Sequence, residues 1–342
     1  MQALVLAGGE GTRLRPLTHT VPKPVMPLAG RPFLTFMLDW LRAHDVDDVL
    51  LSCGFLAHAV EEVLGDEHEG MRLRYVHEDE PLGTAGPVRL AADEGLLADR
   101  LFILNGDVLT DMDLTSQLAF HDEKGAKATL ALIAVEDTSS YGVVPTDEDG
   151  AVTEFLEKSP GPAPTNRINA GAYAIERDVV ERIPSGRAVS FEREIFPSLV
   201  GEGLYGYMSD GYWIDIGTPE RYLEATYDLL SGRVASTLPP RDETGSLIYE
   251  PALVAGAHIG PQSVLGPHCS VGIDSAVERS VLHERVSVGS GCTIREAVLG
   301  EGVRVGDRAE IEEGAMLGSG VVVSDGETVE ADARLEPGAR VG

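Results

Sequence analysis

The sequence predicts an α/β domain with a mostly parallel sheet, followed by a solenoid of six-residue strand repeats. Three observations carry that expectation. A short apolar run, Ala3-Leu4-Val5-Leu6-Ala7, enters a glycine-rich turn, Gly8-Gly9-Glu10-Gly11, and buried parallel strands read as continuous apolar runs of this kind. Strand-like and helix-like stretches then alternate as far as Leu230, the pattern of a parallel sheet covered on both faces. From Leu253 onward, branched aliphatics recur every six residues, a spacing that a helical period of 3.6 cannot sustain.

Taken in order, Phe33 to His44 carries Leu34, Met37, Leu38 and Leu41 at helical spacing. Val49-Leu50-Leu51 reads as a strand, Ala57 to Leu64 as a helix, and Leu73 to Val76 as a third strand. A helix is expected over Pro87 to Ala92. The apolar run Leu101-Phe102-Ile103-Leu104 is a strand ending in Asn105-Gly106-Asp107. Ala128 to Val135 is another. Val152 to Lys158 follows, then a loop at Pro160-Gly161-Pro162-Ala163-Pro164, then a strand opening on Asn169-Ala170-Gly171-Ala172-Tyr173. Pro219 to Leu230 is a helix with proline in its first turn. Ser231 to Gly245 loses periodicity and reads as a linker. The expected division is residues 1–232, a linker at 233–246, and the solenoid at 247–342.

In the solenoid the aliphatic series runs Leu253, Ile259, Leu265, Val271 and Val277. A step of five leads to Leu282, Val288 and Ile294, and another to Leu299 and on to Val341. Small residues mostly sit two positions earlier. The spacing resembles that of the left-handed parallel β-helix, in which three hexads make one triangular coil with its aliphatics stacked inside. The series amounts to roughly five coils. The final coil at Gly342 lacks an obvious cap, so a covered end and a homo-oligomer are expected. His258, His268 and His283 occur with no acceptor-site motif and are expected to be solvated.

Composition narrows the function. The chain has 342 residues, 43% apolar and 24% charged, ordinary values for a globular protein with room for two domains. A net charge of −29 argues against nucleic-acid and anionic-membrane partners. No apolar run approaches a membrane span, and Met1 leads directly into the first strand, so a cytoplasmic setting is expected. Cys53, Cys269 and Cys292 show no metal-ligand spacing and read as buried thiols. Only four lysines occur, Lys23, Lys124, Lys127 and Lys158. Lys23 and Lys158 fall inside the motifs below.

A strand that runs into closely spaced glycines can present backbone N–H groups to phosphate. The turn is not a P-loop, because Thr12-Arg13 follows Gly11 where that motif needs Lys and then Ser or Thr. It is not the dinucleotide fingerprint either, because Leu14 holds the place of the third glycine. With Thr12-Arg13-Leu14, Pro16-Leu17-Thr18 and Pro22-Lys23-Pro24 in order, it resembles the signature of the sugar-1-phosphate nucleotidylyltransferases. These enzymes join a nucleoside triphosphate to a sugar 1-phosphate and release pyrophosphate.

The resemblance extends over nearly the whole chain. It implies a Rossmann-like nucleotidyltransferase domain with a C-terminal left-handed β-helix. It implies nucleotide binding by Leu6, Ala7, Gly8, Gly9, Gly11, Thr12 and Gly106, and catalysis by Arg13, Lys23 and Asp107. Glu78-Asp79-Glu80-Pro81-Leu82-Gly83-Thr84-Ala85-Gly86 is similar to the segment that holds the base, with Glu78, Pro81, Gly83 and Thr84 as contacts. Its form is most similar to that of the mannose-1-phosphate guanylyltransferases. The chemistry agrees: a carboxylate only accepts hydrogen bonds, and guanine offers two adjacent donors where uracil and thymine offer one. The plain alternative is that Glu78 and Glu80 are solvated turn residues.

Tyr141-Gly142, Glu157-Lys158 and Asn169-Ala170-Gly171 resemble the family's sugar-phosphate site, which implies contacts from Gly142, Glu157, Lys158, Asn169 and Gly171. A surface ion pair is the bland reading of Glu157-Lys158. Tyr212-Trp213-Ile214-Asp215-Ile216-Gly217-Thr218-Pro219 resembles the family's closing motif. Asp107 and Asp215 are thereby implied to hold Mg²⁺, which takes one or two carboxylates and fills its shell with water and phosphate. Three competing readings remain: a glucose-1-phosphate enzyme using UTP or dTTP, a non-catalytic regulatory subunit of the same plan, and a sugar-binding acyltransferase.

Overall fold

The computed structural model describes residues 1–158, 163–254 and 256–342. Pro160, Gly161 and Pro162 of the expected loop therefore lie outside the described residues. By internal packing the chain divides into two compact units, Met1–Gly9 with Met37–Trp213, and Glu10–Phe36 with Ile214–Gly342. The glycine turn carries the chain from the first unit into the second. The helix Phe33–Ala43 carries it back.

The first unit is built on a ten-stranded sheet. Its strands are β1 (Gln2–Leu6), β2 (Asp48–Cys53), β3 (Glu67–His68), β4 (Met71–His77), β5 (Arg100–Asn105), β6 (Ala128–Ala134), β7 (Gly142–Val143), β8 (Leu156–Glu157), β9 (Arg167–Glu176) and β10 (Leu204–Met208). The order is β8-β7-β9-β5-β1-β2-β4-β3, with β6 between β9 and β10. β1 pairs in parallel with both neighbours, Leu4 lying opposite Leu50 on β2 and Ile103 on β5. Ala3, Leu4 and Val5 are fully buried, because the sheet is covered on both faces there.

β1, β2, β4 and β5 all end at one edge of the sheet. Open α/β sheets bind ligands beyond that edge. β9 runs antiparallel to β5, with Ala172 opposite Leu104, so the start of β9 lies at the same edge. The strand expected to open at Asn169 begins at Arg167 instead. Val143 on β7 pairs with Ile168, a tertiary contact that draws two more residues into the sheet. Behind β9, Phe191 and Phe196 stack at 5.1 Å, and Tyr173 meets Phe196 edge-on at 4.9 Å. Offset and edge-on geometries of this kind are the favoured ones for aromatic pairs.

The second unit holds residues 10–36, the helix Pro219–Ser231 and a parallel β-helix of three sheets. Thr218 caps that helix, its hydroxyl accepting from the Arg221 N–H at 3.4 Å. The β-helix sheets have six, six and five short strands. One column runs Ile248, Leu265, Leu282, Leu299, Leu317 and Leu335, each opposite the next. Cys269 and Cys292 are buried between such layers, their thiols donating to the His283 carbonyl at 3.0 Å and the Gly306 carbonyl at 2.9 Å. Burial pushes the Cys269 thiol up to about 11.

Two expectations are corrected here. The inward residue of the second strand is Val254, paired with Val271, and Leu253 is 72% exposed. Adjacent aliphatics at 253 and 254 leave the local period ambiguous, and only pairing with the next coil decides it. His283 is buried, unlike the exposed His258 and His268. Its Nε2 lies 3.1 Å from the Tyr222 hydroxyl, and burial pushes its pKa down to about 4.

Candidate active site

The carboxyl edge of the first unit gathers most of the residues singled out above. β1 ends at Leu6 and the chain turns through Ala7, whose N–H donates to the Ser52 carbonyl at 2.9 Å. Gly8 follows against Glu78, and a Cβ at residue 8 would lie 2.8 Å from Glu78 Oε1. Gly9 is exposed, with nothing within 4 Å of its side-chain position, so a ligand can approach its backbone directly.

Glu78 is anchored rather than solvated. Its Oε1 accepts from the Ser52 hydroxyl at 2.6 Å and its Oε2 from the Leu82 N–H at 3.0 Å. A carboxylate has about four lone-pair positions, so two acceptor sites remain. Glu80, Pro81 and Gly83 are exposed on the same loop. The Ala85 N–H donates to the Val189 carbonyl at 2.9 Å, which fixes the loop's far end.

Thr84 reaches a residue that sequence reasoning missed. Its hydroxyl donates to Glu192 Oε2 at 2.7 Å, and the Ser190 hydroxyl donates to the same oxygen at 2.6 Å. Glu192 is half-buried and bears electrostatically on both Glu157 and Tyr173. Burial holds the Glu157 carboxyl above the usual range against the opposing pull of Lys158, and Glu192 adds to the rise. Two carboxylates thus face one neighbourhood, an acceptor-rich lining suited to hydroxyl groups.

The remaining first-unit residues surround that lining. Gly142 pairs with Glu157 across β7 and β8. Lys158 lies 3.7 Å from Glu157, its side chain 61% exposed. It holds a φ of +46°, a conformation uncommon outside glycine. Asn169 donates to the Tyr173 hydroxyl at 2.8 Å and accepts from the Gly171 N–H at 3.0 Å. Gly171 has a φ of +77° and packs against Asn105, so no side chain is tolerated there. The Gly106 N–H donates to the Leu6 carbonyl at 3.0 Å, which sets Asp107 just beyond β5. Trp213 donates to the Ala170 carbonyl at 2.9 Å and meets Tyr141 edge-on at 5.4 Å, forming an aromatic wall.

The second unit brings together the rest. Gly11 is left-handed at φ +63°, and its carbonyl accepts from the Thr18 hydroxyl at 2.8 Å. Thr12 and Arg13 are exposed on the short 3₁₀ turn Thr12–Leu14. Lys23 is buried, 7% exposed, its stem packed beside Gly11. Arg13 lies over Gly217, where a Cβ would come within 2.6 Å of Nη2. Asp215 ends the strand Trp213–Asp215 two residues earlier.

A parallel sheet that presents glycines and acids at its carboxyl edge, in a chain that also carries a β-helix, defines the class of nucleotidyl transferases with a solenoid domain. Residues 2–232 match the nucleotidyl transferase family model, and the chain belongs to that family. Residues 249–329 match the model of the EIF2B subunit epsilon LbH domain, a left-handed β-helix. Among curated relatives, the mannose-1-phosphate guanylyltransferase of Mycobacterium tuberculosis is 41% identical, covering 82% of this chain and 79% of its own. The catalytic subunit beta of that enzyme from Danio rerio is 37% identical, covering 79% and 74%. The UTP–glucose-1-phosphate uridylyltransferase of Synechocystis is 34% identical, covering 82% of both chains. The crystal structure of HddC from Yersinia pseudotuberculosis complexed with GMP-PN superposes with a TM-score of 0.55 at 28% identity, covering 66% of this chain and 97% of that one.

Proposed function

We propose that the protein transfers the guanylyl group of GTP to mannose 1-phosphate, giving GDP-mannose and pyrophosphate. The observation that carries this reading is the 41% identity to a guanylyltransferase over most of both chains. The anchored Glu78 supports the choice of base, because its free lone pairs can accept from the two adjacent donors of guanine. The paired carboxylates Glu157 and Glu192 support a hydroxylated second substrate. A second reading, uridylyl transfer to glucose 1-phosphate, is favoured by the 34% identical relative from Synechocystis.

The sugar phosphate is already an anion and needs no general base. Its oxygen attacks the α-phosphorus in line, the bond to the bridging oxygen breaks, and pyrophosphate leaves. Arg13 and Lys23 are assigned to the charge on the departing pyrophosphate. Lys158 is assigned to the sugar phosphate. The turn from Leu6 to Thr12 and Gly106 are assigned to the nucleotide, with Pro81, Gly83 and Thr84 around the base. Gly142, Asn169 and Gly171 are assigned to the sugar.

Among the described residues no cluster of three or more His, Cys, Asp or Glu side chains suits a metal ion. Asp107 and Asp215 are assigned to Mg²⁺, each offering the hard oxygen donors that this ion prefers. When bound, Mg²⁺ would neutralise phosphate charge. No helix of the described residues is long and apolar enough to cross a membrane. A cytoplasmic setting is proposed from the triphosphate substrate, and a homo-oligomer through the β-helix is proposed with it. The working division remains 1–232, 233–246 and 247–342. Phosphorus NMR of the product tests the chemistry. The reading requires a new diphosphate ester that appears only with both substrates, at a rate about a hundredfold lower in Asp107→Asn.

A further inference from the structure

We propose that the last coils of the β-helix position Gly11 and the cations Arg13 and Lys23, so that Ser319 and Glu336 are positioning residues for nucleotide binding. The proposal rests on the nucleotidyl-transfer reading for its kinetic part. All the contacts it uses lie inside the second unit.

Thr18 fixes Gly11 through its hydroxyl. The next two residues are held by the solenoid. His19 Nε2 lies 2.9 Å from Glu336 Oε2, and the Thr20 hydroxyl lies 3.2 Å from that of Ser319. Neither Ser319 nor Glu336 belongs to the interior stack. Their outward side chains meet the turn that follows Arg13. Further along the same segment, Tyr222 donates to the Pro27 carbonyl and Tyr249 to the Ala29 carbonyl, the latter at 2.8 Å. Residues 10–36 are therefore pinned on both sides of Lys23 by groups from the second half of the chain.

The energetic consequence follows from how short this segment is. Thr12–Leu14, Leu17–His19 and Lys23–Val25 are each a single 3₁₀ turn of three residues. Turns this short have little intrinsic stability, so outside contacts decide where Arg13 and Lys23 stand. Misplacing a charge-stabilising group by about 1 Å costs on the order of a hundredfold in rate. The solenoid thus contributes to the site without touching substrate.

The test uses the full chain, comparing wild type, the double variant Ser319→Ala/Glu336→Ala, and the exposed solenoid control Glu310→Gln. In the double variant kcat is expected to fall about tenfold and the KM for GTP to rise. The KM for mannose 1-phosphate and the melting temperature should be unchanged. Ser319→Thr/Glu336→Gln, which keeps a hydroxyl and an acceptor in place, should recover most of the loss. Equal losses on both substrates together with a lowered melting temperature would reduce the contact to a structural one and overturn the proposal. Amide hydrogen exchange at residues 11–23, read without substrate, is independent of the assigned activity. It should quicken severalfold in the double variant and not in Glu310→Gln, and unchanged exchange would overturn the proposal even in an inactive protein. If wild type turns over no pair of substrates while exchange responds as expected, the functional reading fails and the positioning stands.

Discussion

The guanidinium of Arg13 rests on the α-carbon of Gly217, two residues beyond Asp215, leaving no room for a methyl group between them. The signature turn and the closing motif are over two hundred residues apart in sequence, yet they share this contact. Arg13 is the flexible partner, so a side chain at 217 displaces the cation before it disturbs the backbone.

Gly217→Ala is therefore expected to lower kcat at least tenfold while shifting the melting temperature by less than a few degrees. An Arg13→Ala change should add little further loss, because both substitutions remove the same charge from the same place. Steady-state kinetics on the two single variants and the double variant check this. Additive losses would place Arg13 and Gly217 in separate roles.

Glu78→Gln addresses the base. The amide oxygen can still take the Leu82 N–H, but the Ser52 hydroxyl must turn to accept from the amide NH2, and both hydrogen bonds lose the carboxylate's charge. A stability loss of about 1 kcal/mol is expected. The ratio of kcat/KM for GTP to that for UTP should fall about tenfold. A preference that survives the substitution would remove Glu78 from base selection.

Glu192→Gln addresses the sugar. It weakens the hold on Thr84 and Ser190 and removes a charge that bears on Glu157. The Glu157 carboxyl should then titrate lower, since a like charge near it is gone. The acidic limb of the pH profile of kcat/KM for mannose 1-phosphate should move down with it. An unmoved limb would show that Glu157 does not govern that profile.

His283 gives the fold a pH dependence. Its pKa is depressed to about 4 from an unfolded value near 6.5. The unfolded chain binds the extra proton first, so stability is full above about pH 6.5 and declines as pH falls towards 4. The loss amounts to on the order of 3 kcal/mol below that window. Denaturant melts at about pH 7.5 and pH 5 should differ in wild type and differ less in His283→Asn.

The sheet was legible because its strands are short apolar runs with both faces covered. The helix expected at Ala57 to Leu64 has those bounds in the structure, its length being set by local periodicity. Leu253 was misread because two aliphatics stand side by side, and no local rule chooses between them. The burial of His283 and the place of Glu192 left no mark in the sequence. Each depends on one distant hydroxyl, Tyr222 for the first and Thr84 for the second, and such pairings have no period to detect. Ser52, which holds Glu78, was hidden for the same reason, inside a strand that reads as plain core.

The central claim is tested most directly by pyrophosphate release over a grid of four nucleoside triphosphates against mannose 1-phosphate and glucose 1-phosphate. The account predicts the highest kcat/KM for GTP with mannose 1-phosphate, by at least tenfold over any other pair. Turnover led by UTP with glucose 1-phosphate, or no release from any pair, would contradict it.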